Sequence, residues 1–176
     1  MSKDRQIEPL GGETVYECSQ FSVRVERFRH TDGEEVQREF VQRMAAAAIV
    51  AYDDEHVWLV RQPREAIRQY TLELPAGKLD VEGEEPLEAA RRELAEEIGK
   101  AAEQWEHLHS FYTSPGFTDE ECHVYLATGL SDAEAETDEH ERIDVEVRPL
   151  AELDALIDET RDSKTLIGLL ELRRRR

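Results

Sequence analysis

Apolar residues recur at helical spacing in one short stretch of the chain, and at strand spacing over most of the rest. Leu87, Ala90, Leu94 and Ile98 fall on one face of a helix when successive residues are turned by about 100°. Pro86 is tolerated only in a first helical turn and Gly99 suits the left-handed residue just past a helix end, so the spacing predicts a helix over 86–98. Period-two alternation or short apolar runs predict strands over 15–18, 21–28, 36–44, 45–52, 57–60, 71–74, 105–113, 121–128 and 143–147. Two further helices are expected at about 150–158 and 163–173. Residues 61–69 read as a polar connection and 131–141 as an acidic surface loop.

The elements add up to an α+β chain: a mixed β-sheet between α-helices over 45–176, preceded by a small antiparallel sheet within 1–44. At 176 residues and 39% hydrophobic content the chain can bury one good core with a minor accessory layer. The N-terminal ribbon has too few apolar residues to stand alone in water, so it must pack on the rest of the chain or on a partner.

The same helical projection puts Glu93, Glu96 and Glu97 on an arc beginning at the edge of the apolar stripe. Like charges at spacings of three and four repel one another. Two accounts are open on this ground: a solvated acidic face, or a divalent cation between the carboxylates. A hard ion such as Mg²⁺ takes oxygen ligands and is commonly held by one or two carboxylates together with substrate phosphates.

Charge narrows the range of partners. A net charge of −19 repels nucleic-acid backbones over the whole surface. Four of the 22 basic residues are lysines (Lys3, Lys78, Lys100 and Lys164), and with 41 acidic residues this composition resembles that of proteins from salt-loving organisms, where salt screens the self-repulsion. No apolar run approaches bilayer length and residues 1–12 are polar, so a cytoplasmic protein without a membrane contact is expected. Cys18 and Cys122 stand far apart with no metal-ligand spacing, and read as reduced, buried thiols.

The order of residues from Gly77 to Gly99, G-x6-E-x7-R-E-L-x-E-E-x-G, closely resembles the Nudix box of hydrolases that cleave a nucleoside diphosphate linked to another moiety. The family pattern has five residues between the first Gly and the first Glu; here six separate Gly77 from Glu84, and Lys100 follows the last Gly where an apolar residue is usual. A second likeness, to members that hydrolyse ADP-ribose, lies in Pro115, which follows Lys100 by fifteen residues, in Glu-Leu-Pro-Ala-Gly at 73–77, in Val-Arg-Gln-x-Arg at 60–64 and in Ser-Lys-Thr-Leu-Ile at 163–167.

The resemblance implies a Nudix fold and metal-dependent hydrolysis of ADP-ribose to AMP and ribose 5-phosphate, with Mg²⁺ (or Mn²⁺) as cofactor. It also implies that the N-terminal sheet serves a homodimer. By the same likeness the Ala76 carbonyl, Glu93 and Glu97 ligate metal, Glu96 supports a further ion, and Gly77, Glu84, Arg92 and Gly99 keep the box in shape. Arg43, Arg64, Glu73, Pro115 and Gly116 fall on the substrate side. A glutamate just ahead of the 143–147 strand is the general base of ADP-ribose enzymes, which points to Glu141, with Glu139 as competitor and Glu96 next. Two rivals stay open: the same chemistry on another nucleotide sugar or dinucleotide, and a non-catalytic nucleotide-sensing module.

Overall fold

A computed structural model describes residues 6–134 and 142–176. Its elements in chain order are β1 (Glu8–Glu17), β2 (Ser22–Arg29), β3 (Glu35–Gln42), β4 (Ala46–Tyr52), β5 (His56–Arg64), β6 (Gln69–Glu73) and β7 (Ala76–Lys78). There follow α1 (Pro86–Ile98), β8 (Lys100–Tyr112), β9 (Glu121–Asp132), β10 (Asp144–Pro149), a 3₁₀ turn at Leu150–Glu152, α2 (Leu153–Glu159) and α3 (Ser163–Arg175). They form two compact units, one from Met1–Met44 with Tyr112–Glu120, the other from Ala45–Phe111 with Glu121–Arg176.

The first unit carries the antiparallel sheet β1-β2-β3. Its first strand begins at Glu8, well before the apolar alternation that predicted it, because an edge strand is held by its backbone ladder to β2 and needs no buried side chains. Gly11, at φ 98°, supplies the left-handed residue where the register with β2 shifts. Val15, Tyr16 and Phe21 are exposed.

The second unit holds a seven-stranded sheet of order β10-β5-β4-β9-β8, with β6 paired to β5 and β7 to β4. β4 runs parallel to β9 and antiparallel to β5 and β7, so the sheet is mixed. Alternate residues of β4 point to opposite faces. Ala47, Ile49 and Ala51 pack with Ala89, Ala90, Leu94 and Ile98 of α1, whereas Ala48 and Val50 pack with Leu153 and Leu156 of α2 and Leu169 and Leu172 of α3. Both faces are covered, which is why β4 reads as a continuous apolar run. At Gly168 a Cβ would lie 2.6 Å from Leu74 Cδ1 and 2.8 Å from Val50 Cγ2, so glycine sets how closely α3 approaches the sheet.

The connection expected over 61–69 is largely strand. Arg61↔Leu72, Gln62↔Thr71, Pro63↔Tyr70 and Arg64↔Gln69 are paired in a hairpin that turns through Arg68 at φ 56°. Cys122 is buried but Cys18 is only partly so, a correction to the expectation for the latter. Among the described residues no helix is long and apolar enough to cross a membrane.

Candidate active site

The site grows out of the segment between β6 and α1. Ala76, Gly77 and Lys78 pair with Ala48, Ala47 and Ala46 of β4, and the flanks are pinned by Ile49 N donating to Pro75 O at 2.9 Å and Leu79 N to Ala45 O at 2.9 Å. The loop then turns into α1 at Pro86, whose missing N–H is one the first turn leaves unbonded anyway. Gly99 closes the helix at φ 64°, donating to Ala95 O at 3.0 Å.

The edge of α1 facing this segment is crowded with charge. Glu93 is 9% exposed, and a Cβ on Gly77 would overlap its carboxylate, so the absence of a side chain there lets the carboxylate lie against β7. Arg92 sits among the other anions: Nε and Nη2 donate to the two oxygens of Glu84, each at 3.1 Å, and Nη1 to Glu93 at 2.7 Å and Glu96 at 3.0 Å. Nη2 also reaches the Lys78 carbonyl at 3.1 Å, tying the loop to the helix. The hydrogen bond to Glu84, opposed by burial and reinforced by Glu93, raises the Arg92 pKa still further, so this guanidinium is permanently charged. Glu97 accepts from the Ala76 amide at 2.9 Å.

A second charged cluster lies one step back along the chain. Glu73 is 1% exposed, and its carboxylate receives a two-pronged bond from Arg64 Nε and Nη2, both at 2.7 Å, with Thr71 Oγ1 at 2.5 Å and Lys164 Nζ alongside. Arg64 is 44% exposed and lies within electrostatic reach of Glu97.

A NUDIX domain family model matches residues 41–169. The chain belongs to the Nudix hydrolases. It is 40% identical over 152 residues to the ADP-ribose pyrophosphatase of Mycobacterium tuberculosis, spanning 85% of this chain and 73% of that protein. It is 39% identical over 174 residues to the methanol dehydrogenase activator of Bacillus methanolicus, spanning 96% and 94%. A crystal structure of an ADP compounds hydrolase superposes with a TM-score of 0.84 at 27% identity, over 98% of this chain and 96% of that one. The protein is thus an ADP-ribose pyrophosphatase-like Nudix diphosphohydrolase, with the α+β fold of that family.

In this Nudix hydrolase, Arg92, Glu93, Glu96 and Glu97 of α1 meet Ala76 and Gly77 of β7 and Glu84 of the loop, Gly99 caps the far end of that helix, and Glu73 and Arg64 are in the same unit. Arg43, Pro115 and Gly116 belong to the unit with the three-stranded sheet. There Arg43 Nη1 pairs with Glu120 at 3.0 Å, its amide donates to Asp119 at 2.9 Å, and Pro115 and Gly116 form a turn closed by Phe117 N and Thr118 N on Ser114 O at 3.0 and 3.1 Å. Glu139 and Glu141 lie outside the described residues. Sequence reasoning passed over Thr71 and Lys164, which complete the Glu73 cluster; the signal for Lys164 was the Ser-Lys-Thr run at 163–165.

The donor set of the helix edge fits a hard divalent cation. Arg92 is ringed by the carboxylates of Asp80, Glu84, Glu93 and Glu96, and Glu97 lies against the Ala76 amide instead, leaving anionic charge beside the core. Among the described residues no group of three or more His, Cys, Asp or Glu side chains is arranged to hold a metal ion. A divalent cation held by one or two of these carboxylates would take the rest of its shell from water and substrate oxygens, as Mg²⁺ does.

The Glu73 cluster should make the stability of the Nudix domain fall in acid. Burial by itself would raise this carboxyl, but the Arg64 bonds and the Lys164 charge bring it from 4.5 down to about 2. A folded pKa below the unfolded one stabilises above the unfolded value, and that contribution is lost as pH falls from about 4.5 towards about 2. The size is on the order of 3 kcal/mol. In urea unfolding followed from about pH 6 to about pH 3, the stability gap between wild type and Glu73→Gln should close with acid. A gap independent of pH would mean that the carboxylate charge is not what the cluster uses.

Proposed function

We propose that this enzyme hydrolyses the diphosphate of ADP-ribose, giving AMP and ribose 5-phosphate, with Mg²⁺ or Mn²⁺ held by Glu93, Glu96, Glu97 and the Ala76 carbonyl. What carries the substrate assignment is the 40% identity to an ADP-ribose pyrophosphatase, on a chain that sets Glu84, Glu93 and Glu96 around one guanidinium with Glu97 beside the Ala76 amide.

The chain's own residues divide the work. Arg92 bridges Glu84, Glu93 and Glu96 and so keeps the anionic edge from splaying under its own repulsion. The Ala76 amide, bonded to Glu97, fixes the carbonyl-bearing segment beside the helix. Arg64 uses Nε and Nη2 on Glu73, leaving Nη1 outside that fork to meet a substrate oxygen. When bound, a divalent cation neutralises the diphosphate and lowers the pKa of water. Glu141 takes the proton from the attacking water.

A second reading, the same hydrolysis on another ADP-linked compound, is supported by the likeness to an ADP compounds hydrolase and by the lengthened loop between Gly77 and Glu84. The deciding experiment is a panel of ADP-ribose, nucleotide sugars and dinucleoside polyphosphates with Mg²⁺, followed by AMP release. ADP-ribose should give the highest kcat/KM. A higher value for another ADP compound would move the assignment to the second reading, and no release from any would end both.

A further inference from the structure

The Ser-Lys-Thr run opens α3, and its side chains reach the approach to the Nudix box. Asp162 caps the helix, accepting from Thr165 N at 2.9 Å and Thr165 Oγ1 at 2.6 Å, while Thr165 Oγ1 accepts from Leu74 N at 2.8 Å. Between them Lys164, 15% exposed, pairs with Asp162 at 3.0 Å and donates to Glu73. The first turn of α3 therefore grips two successive residues of the approach segment, Glu73 by its carboxylate and Leu74 by its amide. Two residues on, the Ala76 amide holds Glu97.

Glu73 is the shared element. One of its oxygens takes Arg64 Nε and Thr71, the other takes Arg64 Nη2 and Lys164. A buried carboxylate with all of these donors cannot turn without leaving a charge unpaired. Without the ammonium, Asp162 and Glu73 would both compete for Arg64, whose guanidinium already feels Asp162 as well as Glu97. The plane of that guanidinium sets where Nη1, the nitrogen outside the fork, meets a substrate oxygen.

We propose that Lys164 is a positioning residue of this hydrolase: through the Glu73 carboxylate it shares with Arg64, it fixes the Arg64 guanidinium for substrate. This rests on the reading of Arg64 as a substrate arginine. Lys164 itself touches no substrate; its effect is exerted through Arg64, so the two substitutions should not add.

The test is a double-mutant cycle on the full chain with ADP-ribose and Mg²⁺. Lys164→Met should raise KM by about tenfold, the worth of one charge-assisted hydrogen bond, with kcat held within about twofold. In an Arg64→Ala background the same substitution should change KM by less than about twofold. Lys164→Arg should return most of the lost affinity. An equal rise in both backgrounds would make Lys164 a packing residue and overturn the proposal, as would an unchanged KM in Lys164→Met while Arg64→Ala raises it. If Arg64→Ala itself leaves KM unchanged, the substrate reading of Arg64 fails first and the proposal goes with it. Should Lys164→Met not fold, Lys164→Gln removes the charge while keeping a donor and carries the same cycle.

Discussion

Glu97→Gln should leave the protein folded and lower kcat by about 10² to 10³, the loss typical of removing one transition-state charge stabiliser. The amide is isosteric with the carboxylate, and its oxygen can still accept from the Ala76 N–H now 2.9 Å away. The helix edge should gain slightly in stability, because one of its repelling charges is gone and Arg92 still holds Glu84, Glu93 and Glu96. What is lost is a formal charge for a divalent cation. Thermal midpoint and turnover measured across Mg²⁺ concentrations separate the two effects. Wild-type turnover in this variant at ordinary Mg²⁺ would remove Glu97 from the metal site.

The second large effect is expected at Glu141. The box carboxylates are engaged with Arg92 and the Ala76 amide at the helix edge and are proposed to hold metal, so the proton of the attacking water needs another acceptor. A base has to come within hydrogen-bonding distance of that proton, and a positioned carboxylate contributes about 10² to 10⁴. Glu141→Gln should lower kcat by about tenfold to a thousandfold and flatten the acid side of the pH profile, whereas Glu139→Gln should do little. Small, equal losses in the two variants would return the role to the box, where Glu96, half-buried and bonded to Arg92 at 3.0 Å, is the next to substitute.

The helix of the site was legible in the sequence down to its ends, because Pro86 and Gly99 act on the backbone locally, the one fitting only a first turn and the other favouring the left-handed residue past the last. The side of α1 that meets the sheet was equally legible from its spacing, with Ala90, Leu94 and Ile98 buried and Glu93 at the margin. Strand limits were less so. β5 runs through Gln62 and Arg64, and β8 starts at Lys100, because a ladder is formed by peptide groups and leaves no apolar trace where its side chains face water. The partners of Glu73 were illegible for another reason: Arg64 and Thr71 are near it on the β5–β6 hairpin but Lys164 comes from a distant helix, and periodicity says nothing about which charges meet.

The parallel pairing of β4 with β9 also governs when the domain can fold. Ala47 finds Gly77 and His123 as neighbours, and His123 is synthesised long after the uncharged segment Ala-Ala-Ala-Ile-Val-Ala-Tyr of β4 has left the ribosome. Hairpin partners and α1 cover part of that strand early, but its parallel edge stays open until β9 emerges, and non-local pairing of this kind is slow because the loop must close first. The nascent chain thus carries an unpaired apolar edge through much of its synthesis, the condition under which aggregation competes with folding and chaperones are engaged. The acidic residues flanking β4 on its hairpin side, Asp53, Asp54 and Glu55, stand where charges discourage such association.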